Sequence, residues 1–240
     1  RMTLSGTYSA KNTPLLLHGL QMPILETDVS PIIWKAIQAG EYEAKEAHSV
    51  VRILRPGDRI IELGSGLGVI TSIMAQTSDV SIWSFDANPN LITLARRVAD
   101  ANGVKNAIFE HRLLTAGPPS RYTFFIRKDF WMSSLLEQQG PYESRISIES
   151  SNLDEFIEKN SANVLVMDIE GAEYGLLSSA RLNGIDRVFL ELHDHLYGLS
   201  GIRCIFTSMD SLGFSYDPRG STGPCVLFTR EDGQPRFYEN

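Results

Sequence analysis

Apolar residues fall into compact blocks whose internal spacing alternates along the chain. The stretches "RIIELG" (59–64), "VSIWSFD" (80–86), "NVLVMDI" (163–169) and "DRVFLELH" (186–193) are short apolar runs bounded by turn residues. Runs of that length predict buried strands. "NAIFEHRLL" (106–114) predicts another strand, and "RYTFFI" (121–126) a further short strand or an extension of it. Between these runs the apolar period lengthens to that of a helix. Leu91, Leu94, Ala95 and Val98 share one stripe between Asn88-Pro89 and Asn102-Gly103, a start signal and a stop signal. Ser30-Pro31 opens a helix that should stop at Gly40, since serine caps free amides and proline suits the first helical position. Helices are also predicted over 41–54, 68–76, 150–160, 174–182 and 202–213. In the 150–160 helix, Asn152 and Glu155 stand at capping-box spacing. "FSYDP" and "PCVLFTR", joined by "RGSTG", predict a closing hairpin.

Strands alternating with helices imply an α/β fold, a doubly wound and mostly parallel sheet with an antiparallel hairpin at its end. Ligands of such sheets bind outside the carboxyl ends of the strands, where the strand order reverses. A length of 240 residues suits one such domain with an addition. The division read here is an N-terminal extension over 1–40 with a short helix, then the α/β domain over 41–240.

Composition narrows the function without naming it. The apolar and charged fractions, 42% and 21%, are those of an ordinary globular protein. A net charge of −7 argues against tracking a nucleic-acid backbone. No run has the length of a membrane span, and "PLLLHGL" (14–20) is too short for a signal peptide and lacks a basic flank. Arg1 ahead of Met2 reads as an added residue. Cys204 and Cys225 are not in a CxxC pair, which removes a cysteine zinc site and leaves two free thiols or one disulfide. A cytoplasmic setting is expected, with free thiols.

The first strand runs into "ELGSGLG" (62–68). Gly64 and Gly66 permit a tight turn and a close backbone approach to a ligand. The dinucleotide pattern GxGxxG fails here, because Val69 or Thr71 stands where its third glycine belongs. What remains is an acid, Glu62, followed by GxGxG, and Asp86 at the end of the second strand. An acid at that place accepts hydrogen bonds from ribose hydroxyls. A nucleoside ligand without an obligatory pyrophosphate fits, as in S-adenosylmethionine enzymes of the Rossmann-like class. The plainer reading is a packing turn with Asp86 as a solvated strand end.

The strand at 163–169 carries acids to its tip: Asp168 and Glu170, then Glu173 in the first turn of the following helix. If the chain stays extended, Asp168 and Glu170 point the same way. Glu191, His193 and His195 share a face if the next strand persists. Together they would form one mouth whose crowded charges shift pKa values, as proton-transfer sites require. Glu173 reads equally as a helix N-terminal acid, and His195 reads as a surface histidine. A divalent cation on these ligands is conceivable, but no spacing is diagnostic and no metal is expected.

The segments "GEYEAKEAHSVVRILRPGDRIIELGSGLG", "SNLDEFIEKN", "VLVMDIEGAEYGLL" and "VFLELHDH" resemble, in order and spacing, the FkbM family of methyltransferases over about residues 40–213. The "DIEGAE" block behind "LDEFIE" is the most specific part, and "WMSSL" (131–135) is similar to a loop of that family. One departure is "ELGSGLG", where the family reads closer to "DIGANxG". The resemblance implies a Rossmann-like class I methyltransferase fold with a seven-stranded sheet, and S-adenosylmethionine-dependent O-methylation of a sugar or natural-product hydroxyl. It implies cofactor contacts from Glu62, Gly64, Ser65, Gly66, Asp86, Ala87 and Asp168. Asp168, Glu170, Glu191 and His193 would line the reactive side, with Asp168 or His193 as base. Tyr42 and Glu43 would close over the cofactor, or serve as ordinary helix residues. Trp131, with Phe130, would stack on the acceptor and Ser133, with Ser134, would bond to it, from a lid over 125–151, with Glu173 also near the acceptor. Packed core aromatics are the alternative for that segment. Other readings are a non-catalytic adenosyl-binding module, a nicotinamide enzyme and a methyltransferase for a nitrogen or nucleic-acid acceptor. Nothing in the pattern defines an oligomeric state.

Overall fold

A computed structural model describes residues 15–77 and 79–230 of the chain. Arg1 and Met2, the first residue of "PLLLHGL" and the last ten residues of the expected 41–240 domain lie outside them. The chain opens with a two-stranded hairpin, β1 (Leu16–Leu17) and β2 (Leu20–Gln21), then α1 (Pro31–Ala39) and α2 (Ala44–Val50). Next come β3 (Arg59–Leu63), α3 (Val69–Ala75), β4 (Ser81–Asp86), α4 (Pro89–Ala101), β5 (Ala107–His111) and β6 (Leu113–Thr115). β7 (Arg121–Ile126), β8 (Ser144–Asn152), α5 (Leu153–Asn160), β9 (Val164–Met167) and α6 (Glu173–Leu177) follow. β10 (Arg187–Glu191), α7 (Asp194–Ser211), β11 (Phe214–Tyr216) and β12 (Cys225–Arg230) complete the described chain.

Seven strands form the main sheet in the order β5-β4-β3-β9-β10-β12-β11. β5, β4, β3, β9 and β10 pair in parallel, and β12 runs antiparallel to both β10 and β11. The chain winds outward from β3 to β5 and returns on the other side with β9, so the order reverses between β3 and β9. Alternate strand residues feed two cores. Ile60, Ile82, Val164, Val166 and Phe189 pack with α1 to α4 on one face, and Ile61, Phe85, Leu165, Val188 and Leu190 pack with α5 to α7 on the other. Leu17, Leu20, Ile33 and Ile37, from the expected N-terminal extension, belong to the first of these cores. At the end of the sheet away from the site, buried Arg187 and Asp58 form a two-pronged ion pair at 2.6 and 3.0 Å.

Local signals act where expected. Ser30 caps α1 and Gly40 ends it in the left-handed region, and Asn152 caps α5 by accepting the Glu155 amide at 2.9 Å. Several expectations need correction: the 106–114 strand breaks into β5 and β6, which join different sheets, and the 150–160 helix starts only at Leu153 because β8 runs to Asn152. α2 covers 44–50 rather than 41–54, because Glu43 takes a left-handed φ of 50° just before it. α6 ends at Leu177 rather than 182, because Asp154 accepts the amides of Arg181 and Leu182 and draws the chain out of the helix. β10 stops at Glu191, and α7 begins at Asp194, well before 202, with a break at Gly198. The segment 125–151, expected as a lid, is largely framework: β8 pairs with β6 and β7 in a second sheet. Its loop is wound on buried Arg127, whose guanidinium donates to the carbonyls of Met132, Leu136 and Gly140.

Candidate active site

The glycine loop leaves β3 at the point where the strand order reverses. Gly64 has φ 91° and Gly66 φ 51°, a region open to glycine at little cost. Space also demands glycine there. A side chain on Gly64 would overlap the Asp168 carbonyl, and one on Gly66 would lie 2.8 Å from the Tyr42 hydroxyl and 2.9 Å from Glu43 Oε1. The amides of Gly64 and Ser65 donate to the Phe85 carbonyl at 2.8 and 3.1 Å, and the Gly66 amide donates to Asp86 Oδ2 at 3.1 Å. The loop is thereby folded against the tip of β4. Burial pushes the Asp86 carboxyl up to about 6, against the pull of the backbone amides that donate to it. Ala87, next in the chain, is buried, and its carbonyl lies 3.0 Å from His111 Nε2.

Glu62 is turned into the sheet beneath the glycine loop. It pairs with Ser84 across β3 and β4, and its Oε2 accepts from the hydroxyls of Ser84 and Thr71. It is 2% exposed, and burial pushes its carboxyl up to about 7. Its place is inside, tying the start of α3 to the sheet beneath the loop. Ser65 is drawn into the same group, its hydroxyl 2.7 Å from that of Ser84.

The acids at β9 meet through a turn rather than through an extended alternation. β9 ends at Met167, and the chain bends at Glu170 (φ 50°) and Gly171 (φ 96°). Asp168 Oδ1 lies 3.4 Å from His193 Nε2, Glu170 Oε2 3.7 Å and Glu191 Oε2 3.9 Å. His193 arrives just after β10, with its amide donating to the Tyr197 hydroxyl at 2.6 Å. His195 is exposed, its ring 5.7 Å from that of His193. Glu173 differs from its expected role beside the acceptor. It is fully buried behind His193, accepts the amides of Ile169 and Gly171 at 2.9 Å each, and stands 3.2 Å from His193 Nδ1.

Burial first, then repulsion among the acids, raises the carboxyls of Asp168, Glu170 and Glu191. Burial alone would lower the His193 imidazole; Glu173, Asp168 and Glu170 outweigh it and push that group up to about 10. Asp168 Oδ1 is buried without a hydrogen-bond partner. One ligand atom from each of Asp168, Glu170 and His193 lies within 4.8 Å of the other two.

Across the loop, Tyr42 is buried and its ring stacks on Trp131 at 6.4 Å and 14°, with Phe130 edge-on at 6.1 Å. Burial raises the Tyr42 phenol and the Glu43 carboxyl well above their ordinary values, and Glu43 Oε2 is buried without a hydrogen-bond partner. Ser133 is turned inward: it is buried, and its hydroxyl accepts the Arg127 amide at 2.9 Å. That geometry does not present it to an acceptor. Thr71, Ser84, Arg127 and Tyr197 escaped the sequence reading as supports. The one available signal was Ser84, a polar residue facing inward in an otherwise apolar strand.

The strand order, the glycine loop against the tip of β9 and the acid at the tip of β4 define a methyltransferase of the S-adenosylmethionine-dependent α/β class. Residues 68–216 match the sequence profile of the methyltransferase FkbM domain, and the chain belongs to the FkbM methyltransferase family. None of the curated proteins matches the chain. Among solved structures it is similar to precorrin-6y C5,15-methyltransferase from Geobacter metallireducens GS-15 (8% identity, TM-score 0.47, 73% of this chain and 72% of that one). It is also similar to Trm5b from Pyrococcus abyssi (12%, 0.49, 95% of this chain and 61% of that one). A third is magnesium protoporphyrin IX methyltransferase from Synechocystis PCC 6803 (14%, 0.48, 84% and 85%), which holds S-adenosylmethionine. No helix among the described residues is long and apolar enough to cross a membrane, and Cys204 and Cys225 are free.

Proposed function

We propose that this protein methylates a hydroxyl of a small-molecule acceptor, a sugar or other natural product, using S-adenosylmethionine. When bound, that cofactor supplies an electrophilic methyl group on a sulfonium. The residues present fit it. Asp86 would accept the ribose hydroxyls, and Gly64, Ser65, Gly66 and Ala87 would offer backbone at close range. Glu43 stands beside Gly66 through its Oε1, and its Oε2 is buried without a hydrogen-bond partner; the carboxylate is suited to the positively charged end of the cofactor once ionised. Tyr42 and Trp131 would wall the mouth and exclude water.

A sugar hydroxyl is a weak nucleophile at neutral pH, so its proton must leave during attack. Asp168, Glu170, Glu191 and His193 are the groups for that task and for aligning the acceptor, and alignment supplies much of the rate. Glu62 and Glu173 are positioning residues in this reading. A small acceptor is also supported by the net charge of −7. A cytoplasmic setting is part of the proposal and is supported by the free cysteines.

The observation that carries this reading is that one residue joins the two halves. The Asp168 carbonyl fills the space beside Gly64 while its carboxylate faces His193. The test is calorimetric titration with S-adenosylmethionine, S-adenosylhomocysteine and NADH, with Asp86→Ala as control, followed by labelled methyl transfer to a panel of sugars. Binding of both adenosyl ligands, lost in the variant, with label appearing on a hydroxyl is the expected result. Binding of NADH alone, or of none of the three, would sink the proposal.

A further inference from the structure

We infer that Asp168, Glu170 and His193 form a binding site for one divalent cation of the Mn2+ kind, which activates the acceptor hydroxyl. The role in activation rests on the methyl-transfer reading above; binding of the ion does not.

Three donors converge on a spot that none of them fills. His193 is 5% exposed, and its Nε2 faces Asp168 Oδ1 at 3.4 Å and Glu170 Oε2 at 3.7 Å. Those separations exceed ordinary hydrogen bonds, which lie at about 2.7–3.2 Å. Asp168 Oδ1 is itself buried without a hydrogen-bond partner. The donor atoms lie within 4.8 Å of one another. Ligands about 2.1 Å from a common ion need to stand roughly 3–4 Å apart, a small adjustment.

A second observation lies on the far side of the imidazole. Nδ1 of His193 is 3.2 Å from Glu173 Oε1, and Glu173 is held by two backbone amides. A histidine that binds a metal through one ring nitrogen characteristically offers the other to a carboxylate, which sets its tautomer and orientation. Charge points the same way. Among the described residues, the ion pairs of Asp168, Glu170, Glu173 and Glu191 all run to His193. Four carboxylates thus share one imidazole, and a divalent cation offsets the excess.

One nitrogen and two oxygen ligands suit a first-row divalent ion such as Mn2+ better than Ca2+, which takes oxygen ligands throughout. Three protein ligands leave room for the acceptor oxygen. On coordination the hydroxyl becomes more acidic. Its proton passes to the carboxylate of Glu191, the fourth member of the cluster, and the oxygen keeps the electron pair for attack.

The test is calorimetric titration of chelator-treated protein with MnCl2, with free Mn2+ followed by electron paramagnetic resonance. Wild type is compared with His193→Gln, Glu170→Gln and a control at exposed His48, His48→Gln. The expected result is one ion per chain, bound at least tenfold more weakly in the first two variants and unchanged in the third. Thermal melts check folding; Glu170, unlike His193, is partly exposed, so its variant carries the test if His193→Gln unfolds. Absence of saturable binding, or equal binding in all four proteins, overturns the inference. Titration of the same samples with S-adenosylmethionine separates the two proposals. Cofactor binding without Mn2+ removes the ion alone, whereas Mn2+ uptake without cofactor binding supports the site and removes the methyl-transfer reading.

Discussion

Glu173 Oε1 stands 3.2 Å from Nδ1 of His193, with both side chains shut away from solvent. The carboxylate also accepts two amides from the turn that follows β9. One buried acid therefore fixes the turn carrying Glu170 and sets a negative charge against the imidazole that faces it. Replacing it with glutamine removes the charge and keeps most of the shape. In chelator-containing buffer, Glu173→Gln is expected to lower the His193 pKa from about 10 toward the ordinary imidazole range, as read by NMR titration of the ring. Glu173→Ala strands two buried amides and is expected to cost about 3 kcal/mol in urea unfolding. An unmoved His193 titration in the glutamine variant would separate the pair.

Gly64 cannot carry a side chain without displacing Asp168. Its φ of 91° adds backbone strain to the overlap. Gly64→Ala is expected to lower the melting temperature by several degrees and to weaken S-adenosylmethionine binding at least tenfold. A melting curve and a calorimetric titration check both; wild-type behaviour would show that the β3 and β9 tips separate freely.

Cofactor affinity should depend on pH through Asp86. Its folded-state pKa is raised to about 6, so the ionised acceptor needed for two ribose hydroxyls is present above that value and lost below it. Affinity is expected to be flat from pH 8 to 7 and to fall as pH drops through 6, approaching about tenfold per unit for a single proton. Asp86→Asn is expected to bind weakly at every pH without that fall. Titration between pH 5 and 8 decides.

Glu62 makes stability depend on pH in the opposite sense to a salt-bridged acid. Its folded pKa, about 7, lies above the unfolded value near 4.3. Between those values the folded state holds more protons, so stability falls as pH rises from about 4 to 7 and is level beyond. Glu62→Gln is expected to flatten that slope and to gain stability relative to wild type at pH 8. Urea unfolding at pH 5 and pH 8 measures it.

Trp131, stacked on Tyr42, tests the wall of the mouth. Trp131→Ala is expected to raise the acceptor KM several-fold with a smaller change in kcat. Unchanged acceptor affinity would assign the pair to packing alone.

The identity of the elements was written in local pattern. Ser30-Pro31, Asn88-Pro89, Asn152 and the apolar blocks act through neighbours a few residues away, so α1, α4, α5 and the parallel strands were legible from the chain. The places of the glycine loop and Asp86 were legible because each sits at the end of a short apolar strand. Three outcomes were decided in space. Glu62 acts as an anchor that the pattern did not show, because its partners Thr71 and Ser84 come from a helix and a neighbouring strand. Glu173 moved behind His193, because a turn with a left-handed Glu170 replaced the extended strand. His193 joined the acids although β10 ends before it, held by the start of α7. Periodicity reports which side of an element is buried. Which charged side chains meet depends on turns, registers and packing between distant segments, and the sequence pattern does not encode those distances.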